Sequence, residues 1–350
     1  MMLAATIFLA LALGLSAYAF PVWLLWTTPA EPMYLAHVPA LLASAQSEVL
    51  LALSDLRAYP EGVTDPLLLG LRRARERGAE VYALVERGPG TPAPEQREAE
   101  ALLRAWGIAV RGDHPDVTLH AKFLVVDGRF VVVGSTPWTK TALTRSVQVD
   151  LILDCPELAS LFRAFFFRLW EGRLSAQTKL PEGPWPEPAL LPLLELPDSL
   201  AHVRALSRVL AQAEREIWVL LYQATYYPQY PDSPSTRLLG ELAQAAQRGR
   251  SVRLLCEGGE GGEVGAANRL SGAWLSVHGV DVRLDPVNIT MHAKALVVDG
   301  RHLLVTSANW TYSGLAKNVE AGVLFLGTPE LAGLFARRFQ ELWDRSRALP

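Results

Sequence analysis

Two octapeptides carry the residues best suited to chemistry, HAKFLVVD (His120 to Asp127) and HAKALVVD (His292 to Asp299). An imidazole can attack an electrophile or move a proton near neutral pH. A lysine supplies positive charge and hydrogen-bond donors. Residues two apart on a β-strand share a face, so each motif presents an imidazole and an ammonium side by side. Two such faces brought together suit a phosphodiester. His120 or His292 would attack phosphorus, the other would handle the proton of the leaving oxygen, and Lys122 and Lys294 would hold the oxygens on which charge builds. A protonated lysine is not a metal ligand, and no CxxC pair or His/Asp/Glu grouping of ligand spacing occurs. No metal is therefore expected.

The elements that must position these residues are hairpins. Each motif runs into Asp-Gly and then a second apolar, β-branched run, a strong hairpin signal. Asp127 and Asp299 are read as turn-shaping residues before any catalytic role. A two-residue turn would set Lys122 opposite Val133 and His120 opposite Ser135, with position 137 following on that face. The same count gathers His292, Lys294, Ser307 and Asn309. The strands are nearly all apolar, so these polar faces belong to a buried sheet, where a polar group needs a partner or a purpose.

The repetition is wider than the motifs. RERGAEVYALVERG (75–88) returns as AQRGRSVRLLCEGG (246–259), WGIAVRGD (106–113) as HGVDVRLD (278–285), and PELASLF (156–162) as PELAGLF (329–335), in unchanged order. This is a tandem duplication of a domain. Within each copy, short apolar runs such as EVLLAL (48–53) and SVRLLC (251–256) alternate with helical segments. One such helix opens at Asp65-Pro66 and closes before Gly78. The fold class is α/β, with two like domains, each a sheet flanked by helices. The expected boundaries are 1–30 for an N-terminal segment, 31–172 for domain 1, 173–197 for a stiff Pro-rich linker and 198–350 for domain 2.

The chain has 350 residues and a net charge of −3, a balance unlike that of most nucleic-acid binders. Of five lysines, two lie inside the repeated motifs. Residues 1–30 contain no charged side chain, and residues 3–26 are apolar for long enough to span a bilayer. Ala17-Tyr18-Ala19 also fits a signal-peptidase site. The expectation is a cleaved signal peptide or a membrane anchor, and an extracytoplasmic location in either case. Cys155 and Cys256 are read as buried strand-end residues, with one disulfide as the alternative in an oxidising compartment.

The pattern of His, Lys, Asp and a following Gly/Thr-Ser-x-Asn, present twice, resembles the phospholipase D superfamily across most of residues 34–345. The resemblance implies two pseudo-twofold α/β domains, one site at their interface, a covalent phosphohistidine and no cofactor. It also implies acidic or amide residues that orient the histidines: Glu320 in KNVEAG, and Gln148 at the same position in copy 1. Copy 1 departs further, with Pro137 where copy 2 has Asn309. By similarity, Glu320 serves His120 across the interface, which makes His120 the nucleophile and His292 the acid/base. Ser135, Ser307 and Asn309 are implied to bind or orient the phosphate. Asp150 is read as a surface or strand-end charge, His37 and His202 as packing or capping residues, and His114, His278 and His302 as loop or surface residues. The EGGEGGEVG stretch (257–265) is read as a mobile rim, and Tyr222, Tyr226, Tyr227 and Tyr230 as packing or rim residues. The expected function is hydrolysis, or transphosphatidylation, of phospholipid head groups by a monomer at a membrane surface. The alternatives are a metal-independent nuclease and a non-catalytic phosphate-binding descendant.

Overall fold

The computed structural model describes residues 6–12, 17–88, 91–175, 180–181, 184–259, 262–286 and 288–349. Domain 1 contains β1 (Thr6–Ala12), β2 (Ala17–Thr27), α1 (Met33–Ser44), β3 (Glu48–Leu53), α2 (Asp65–Glu76), β4 (Glu80–Val85), α3 (Pro94–Ala105), β5 (Ala109–Gly112), β6 (Lys122–Val126), β7 (Phe130–Gly134), α4 (Lys140–Thr144), β8 (Ser146–Asp154) and α5 (Pro156–Trp170). Domain 2 repeats the plan with β9 (Ala189–Glu195), α6 (Ala201–Ala211), β10 (Glu216–Leu221), α7 (Pro234–Gln247), β11 (Ser251–Cys256), α8 (Glu263–Val277), β12 (Asp281–Leu284), β13 (Thr290–Met291), β14 (Lys294–Val298), β15 (His302–Thr306), α9 (Tyr312–Ala316), β16 (Glu320–Leu326), α10 (Pro329–Asp344) and β17 (Arg347–Ala348).

Each domain is a mixed sheet. In domain 1 the order is β5-β4-β3-β6-β7-β8-β2, with β3, β4 and β5 parallel and the rest antiparallel. In domain 2 the order is β12-β11-β10-β14-β15-β16-β9 on the same rule. The parallel strands are joined by helices, as crossover geometry requires. The strands read as continuous apolar runs because both faces are covered. α1, α2 and α3 pack on the outer face in domain 1, and α6, α7 and α8 do so in domain 2. The inner faces share one core with α5 and α10, in which Phe123, Phe162, Phe325 and Phe335 are wholly buried.

Two boundaries move. The segment expected as a leader or anchor supplies β2, whose residues Val22–Thr27 pair with β8 and whose Val22 and Leu25 are fully buried. Phe20–Thr27 therefore belong to domain 1. Residues 1–5 and 13–16 of that segment lie outside the described residues. No helix among the described residues is long and apolar enough to cross a membrane. Likewise the last part of the expected linker is β9, which pairs along its length with β16. β1 pairs with β2 and meets β9 at Ala12–Ala189, so β2 and β9 occupy matching places beside β8 and β16, each in an apolar or Pro-rich stretch that hides a strand. Residues 176–179 and 182–183 of the linker lie outside the described residues.

The hairpin register also differs from the expected one. Val126 pairs with Phe130 and Val298 with His302, so each turn has three residues rather than two. Asp127 and Gly128 both take positive φ, 53° and 59°, and Asp299 and Gly300 do the same at 53° and 64°. Aspartate tolerates this region when its side chain makes local hydrogen bonds. Here the Asp127 carboxylate accepts from the backbone N–H groups of Gln46, Ser47 and Glu48, and Asp299 from those of Glu214, Arg215 and Glu216. These bonds tie each turn to the start of β3 or β10. Although burial opposes it, they hold both carboxyls below their ordinary range.

Candidate active site

The two motifs meet because each crosses to the other domain just before its strand begins. Leu119 bridges to Val319 in parallel, with the His120 N–H donating to the Val319 carbonyl at 2.9 Å. β13 pairs with the start of β8, Met291 opposite Val147, and the His292 N–H donates to the Val147 carbonyl at 3.0 Å. The residues after Val319 and Val147 are Glu320 and Gln148. One backbone bridge thus delivers each imidazole to its partner. His120 Nδ1 lies 2.8 and 2.9 Å from the two Glu320 carboxylate oxygens. His292 Nδ1 lies 3.1 Å from Gln148 Oε1. In both cases the acceptor fixes the proton on Nδ1 and leaves Nε2 for chemistry.

Lys122 and Lys294 are buried, and each Nζ donates to the carbonyl of the histidine two residues earlier. The four basic groups lie close enough to act on one another. Burial first, then Lys294, Lys122 and His120, push His292 well below the ordinary imidazole value. His120 is lowered less: burial and the lysines depress it, but Glu320 opposes them. Lys122 is brought down to about 8 by burial, against the pull of Glu320 and Asp150. Glu320 itself is wholly buried, yet His120, Lys122 and the Ser307 hydroxyl hold it at about 2. The His120 side chain keeps 21% exposure, which leaves a face open to substrate.

The serine hydroxyls bond the residues that partner the histidines. Ser135 Oγ donates to Gln148 Oε1 at 2.7 Å, and Ser307 Oγ donates to Glu320 at 2.5 Å. Each also accepts a backbone N–H, from Val149 or Ala321. The changed register is the reason, since Phe123 rather than Lys122 faces Val133. Ser135 and Ser307 therefore orient the residues that orient the histidines. Asn309 Oδ1 and Gln148 Nε2 are buried without a hydrogen-bond partner. Pro137 is buried at the place equivalent to Asn309.

Asp150, expected at the surface, is buried and accepts from Thr136 N and Oγ1. His302, also expected at the surface, is buried at the start of β15 and accepts from Gly327 N. His202 is buried between Glu195 and Thr306, at 2.9 and 2.8 Å, while His37 stays half-buried. His114 lies in an exposed loop, and His278 stacks on Trp274. Asp127 and Asp299 sit at the far ends of β6 and β14, away from the imidazoles. Cys155 and Cys256 are both buried and free.

Some residues at the site escaped the sequence reading. Tyr222 packs on His292, with ring centroids 4.7 Å apart, and Lys294 Nζ lies 4.9 Å from the Tyr222 ring centre. Domain 1 has Ser54 at the matching place after β3, so the tyrosine marks one histidine only. Glu86, Asp113, Glu257 and Asp285 surround the backbone just before the two histidines. They recur at matched positions of the repeats, a signal that was present in the sequence. Glu257 and Gly258 open the stretch expected as a mobile rim, yet both are packed against Asp285 and β13. Of the other rim tyrosines, Tyr226 stacks on Trp274 and Tyr230 is exposed.

The family profile described as "Cardiolipin synthase, PLD-like domain" matches residues 38–170 and 206–343. The mitochondrial cardiolipin hydrolase of Danio rerio is 40% identical over 79 residues, which is 22% of this chain and 35% of that protein. The chain thus spans about a third of the length of the curated relatives it matches. The crystal structure of phosphatidylserine synthase from Haemophilus influenzae Rd KW20 superposes with a TM-score of 0.73 at 15% identity, over 99% of this chain and 90% of that one. Polyphosphate kinase from Porphyromonas gingivalis superposes with a TM-score of 0.62 at 13% identity, over 91% of this chain and 50% of that one. At these identities the likeness is one of fold.

Proposed function

Because the chain belongs to the family of phospholipase D-like proteins, with a domain of that kind over residues 38–170 and another over 206–343, we propose that it is a metal-independent phosphodiesterase acting on phospholipid head groups. The observation that carries this reading is the crossed pairing of His120 with Glu320 and His292 with Gln148 beside two buried lysines. The name of the relative that is 40% identical over 79 residues, a cardiolipin hydrolase, favours a lipid over a nucleic acid.

In the proposed reaction, His120 Nε2 attacks phosphorus and the bond to the head-group oxygen breaks. Glu320 stabilises the charge that appears on the His120 ring. His292 Nε2 gives its proton to the departing oxygen, then takes one from the water that hydrolyses the phosphohistidine. An alcohol in place of that water would give transphosphatidylation. Lys122, Lys294 and the amide N–H groups of Asn309 would donate to the phosphoryl oxygens. In the empty site burial first, and then the lysines, lower the proton affinity of His292. A bound phosphodiester anion reverses that field and loads His292 with the proton it must donate. A lipid substrate would place the protein at a membrane surface. The test is head-group release from cardiolipin or phosphatidylcholine vesicles in EDTA, beside nicking of plasmid DNA. Lipid hydrolysis supports the reading, and nicking without it refutes the lipid assignment.

A further inference from the structure

Behind each histidine lies a pair of carboxyl groups that the proposed chemistry does not use. The Leu119 N–H donates to both Glu86 and Asp113, to the latter at 3.1 Å. The Met291 N–H donates to Glu257 at 2.7 Å and to Asp285 at 2.9 Å. The remaining oxygens accept from the loops after β4 and β11. Glu86 and Asp113 accept from Gly88 and Arg87, and Glu257 and Asp285 from Gly259 and Gly258. Within each pair a single N–H reaches both carboxyls, which sets the two acids side by side away from water, where one proton between them relieves their repulsion. A like arrangement of four acidic residues at two pseudo-equivalent places is not a surface accident, because each group is at least half-buried and every one has a backbone N–H to bind.

The bridge residues explain what the arrangement holds. Successive N–H groups point to opposite sides of an extended chain. The N–H of His120 goes to Val319 and that of Leu119 to the carboxyl pair; the N–H of His292 goes to Val147 and that of Met291 to its pair. Each histidine is thus held between the other domain and a carboxyl clasp of its own. We propose that Glu86–Asp113 and Glu257–Asp285, each pair sharing one proton, are positioning groups that lock the interdomain bridges and so set His120 against Glu320 and His292 against Gln148. The proposal rests on the reading of these histidines as the reacting pair.

A shared proton makes the clasp sensitive to alkali. Glu86 and Glu257 are each pushed up to about 8, by burial first and by the neighbouring aspartate next. The folded value lies above the ordinary 4.5, so the clasp is complete at low pH and is lost as pH rises through about 8. Beyond that two like charges face each other. Charged or titratable groups near the pairs include Lys122, Arg87 and His114 at the first, and Arg269, Arg347, Tyr222 and Cys256 at the second.

The experiment compares the full-length native protein with the double variants Glu86→Gln/Glu257→Gln and Glu86→Ala/Glu257→Ala. A glutamine donates to the aspartate at every pH, as the shared proton does below 8. Amide exchange at residues 119 and 291, corrected for the intrinsic rate at each pH, should lose protection above pH 8 in the native protein but not in the glutamine variant. In the head-group release assay on cardiolipin vesicles, the glutamine variant should keep roughly a fifth or more of the neutral rate and lose its alkaline decline to higher pH. The alanine variant should lose about tenfold or more in kcat with KM little changed. If it does not fold, the glutamine comparison decides alone. Loss of protection at the same pH in native and glutamine proteins, or superposed alkaline limbs, would overturn the proposal and leave Lys122 and Lys294 as the source of that limb. Should the native protein release no head group, the proposed function fails, and the exchange measurement still decides the clasp.

Discussion

Replacing Glu320 by Gln isolates a single physical quantity, the charge behind His120. An amide oxygen accepts from His120 Nδ1 as the Gln148 oxygen already does from His292. The tautomer and the ring position are therefore kept, and only the negative charge is lost. The carboxylate oxygens stand 2.8 and 2.9 Å from Nδ1, with Ser307 and Asn318 donating to the same group. Unit charges about 4 Å apart at an effective dielectric near 20 interact by roughly 4 kcal/mol. Between half and all of a positive charge develops on the ring as Nε2 bonds to phosphorus, so about 2–4 kcal/mol of transition-state stabilisation is removed. That corresponds to a fall in kcat of roughly 30- to 1,000-fold. KM should change little, because the charge is absent from the ground state. Glu320 is held at about 2, so the carboxylate is charged throughout an assay from pH 5 to 9 and the loss should be uniform across it. Head-group release is measured on folded protein, with thermal melting as the check. A fall of less than about fivefold, or one carried by KM, would refute the assignment of this carboxylate to the nucleophile.

Four further outcomes are expected. After a rapid quench with labelled substrate, His292→Ala should retain a phosphorylated enzyme and His120→Ala should form none; label on His292 in the latter would reverse the two roles. The His292 ring should titrate well below the ordinary imidazole range in the empty protein, for burial and the lysines both lower it, and should move upward when a tetrahedral oxyanion such as tungstate binds; NMR of ring-labelled histidine checks the direction. Asp127→Ala removes the acceptor of three backbone N–H groups, so stability should fall by about 2–3 kcal/mol in denaturant melts while KM is unchanged. EDTA should leave the rate intact, since Lys122 and Lys294 supply the positive charge; inactivation reversed by a divalent cation would contradict this.

Much of the fold was legible because its signals are local. Apolar runs, Asp65-Pro66 and the Asp-Gly turns are short-range codes, and duplication displayed each of them twice. The hairpin register was misjudged by one residue, because Asp127 and Gly128 both take positive φ and Arg129 joins the turn. In the observed register Ser135 bonds Gln148 and Ser307 bonds Glu320. β2 and β9 were hidden for a different reason. Continuous apolarity describes a buried strand as well as a membrane segment, and a Pro-rich stretch is compatible with an edge strand.

The sequence by itself determined which groups are present: two His-x-Lys faces, one glutamate against one glutamine, and one asparagine against one proline. It did so because residue type at fixed spacing settles which side chains share a strand face. Only the tertiary structure decided how they combine. The bridges from Leu119 to Val319 and from Met291 to Val147 join residues 200 and 144 positions apart, a separation over which no local code acts. The same bridges bring Glu86 with Asp113 and Glu257 with Asp285 around one backbone N–H each, a convergence that their acidity in the sequence does not announce.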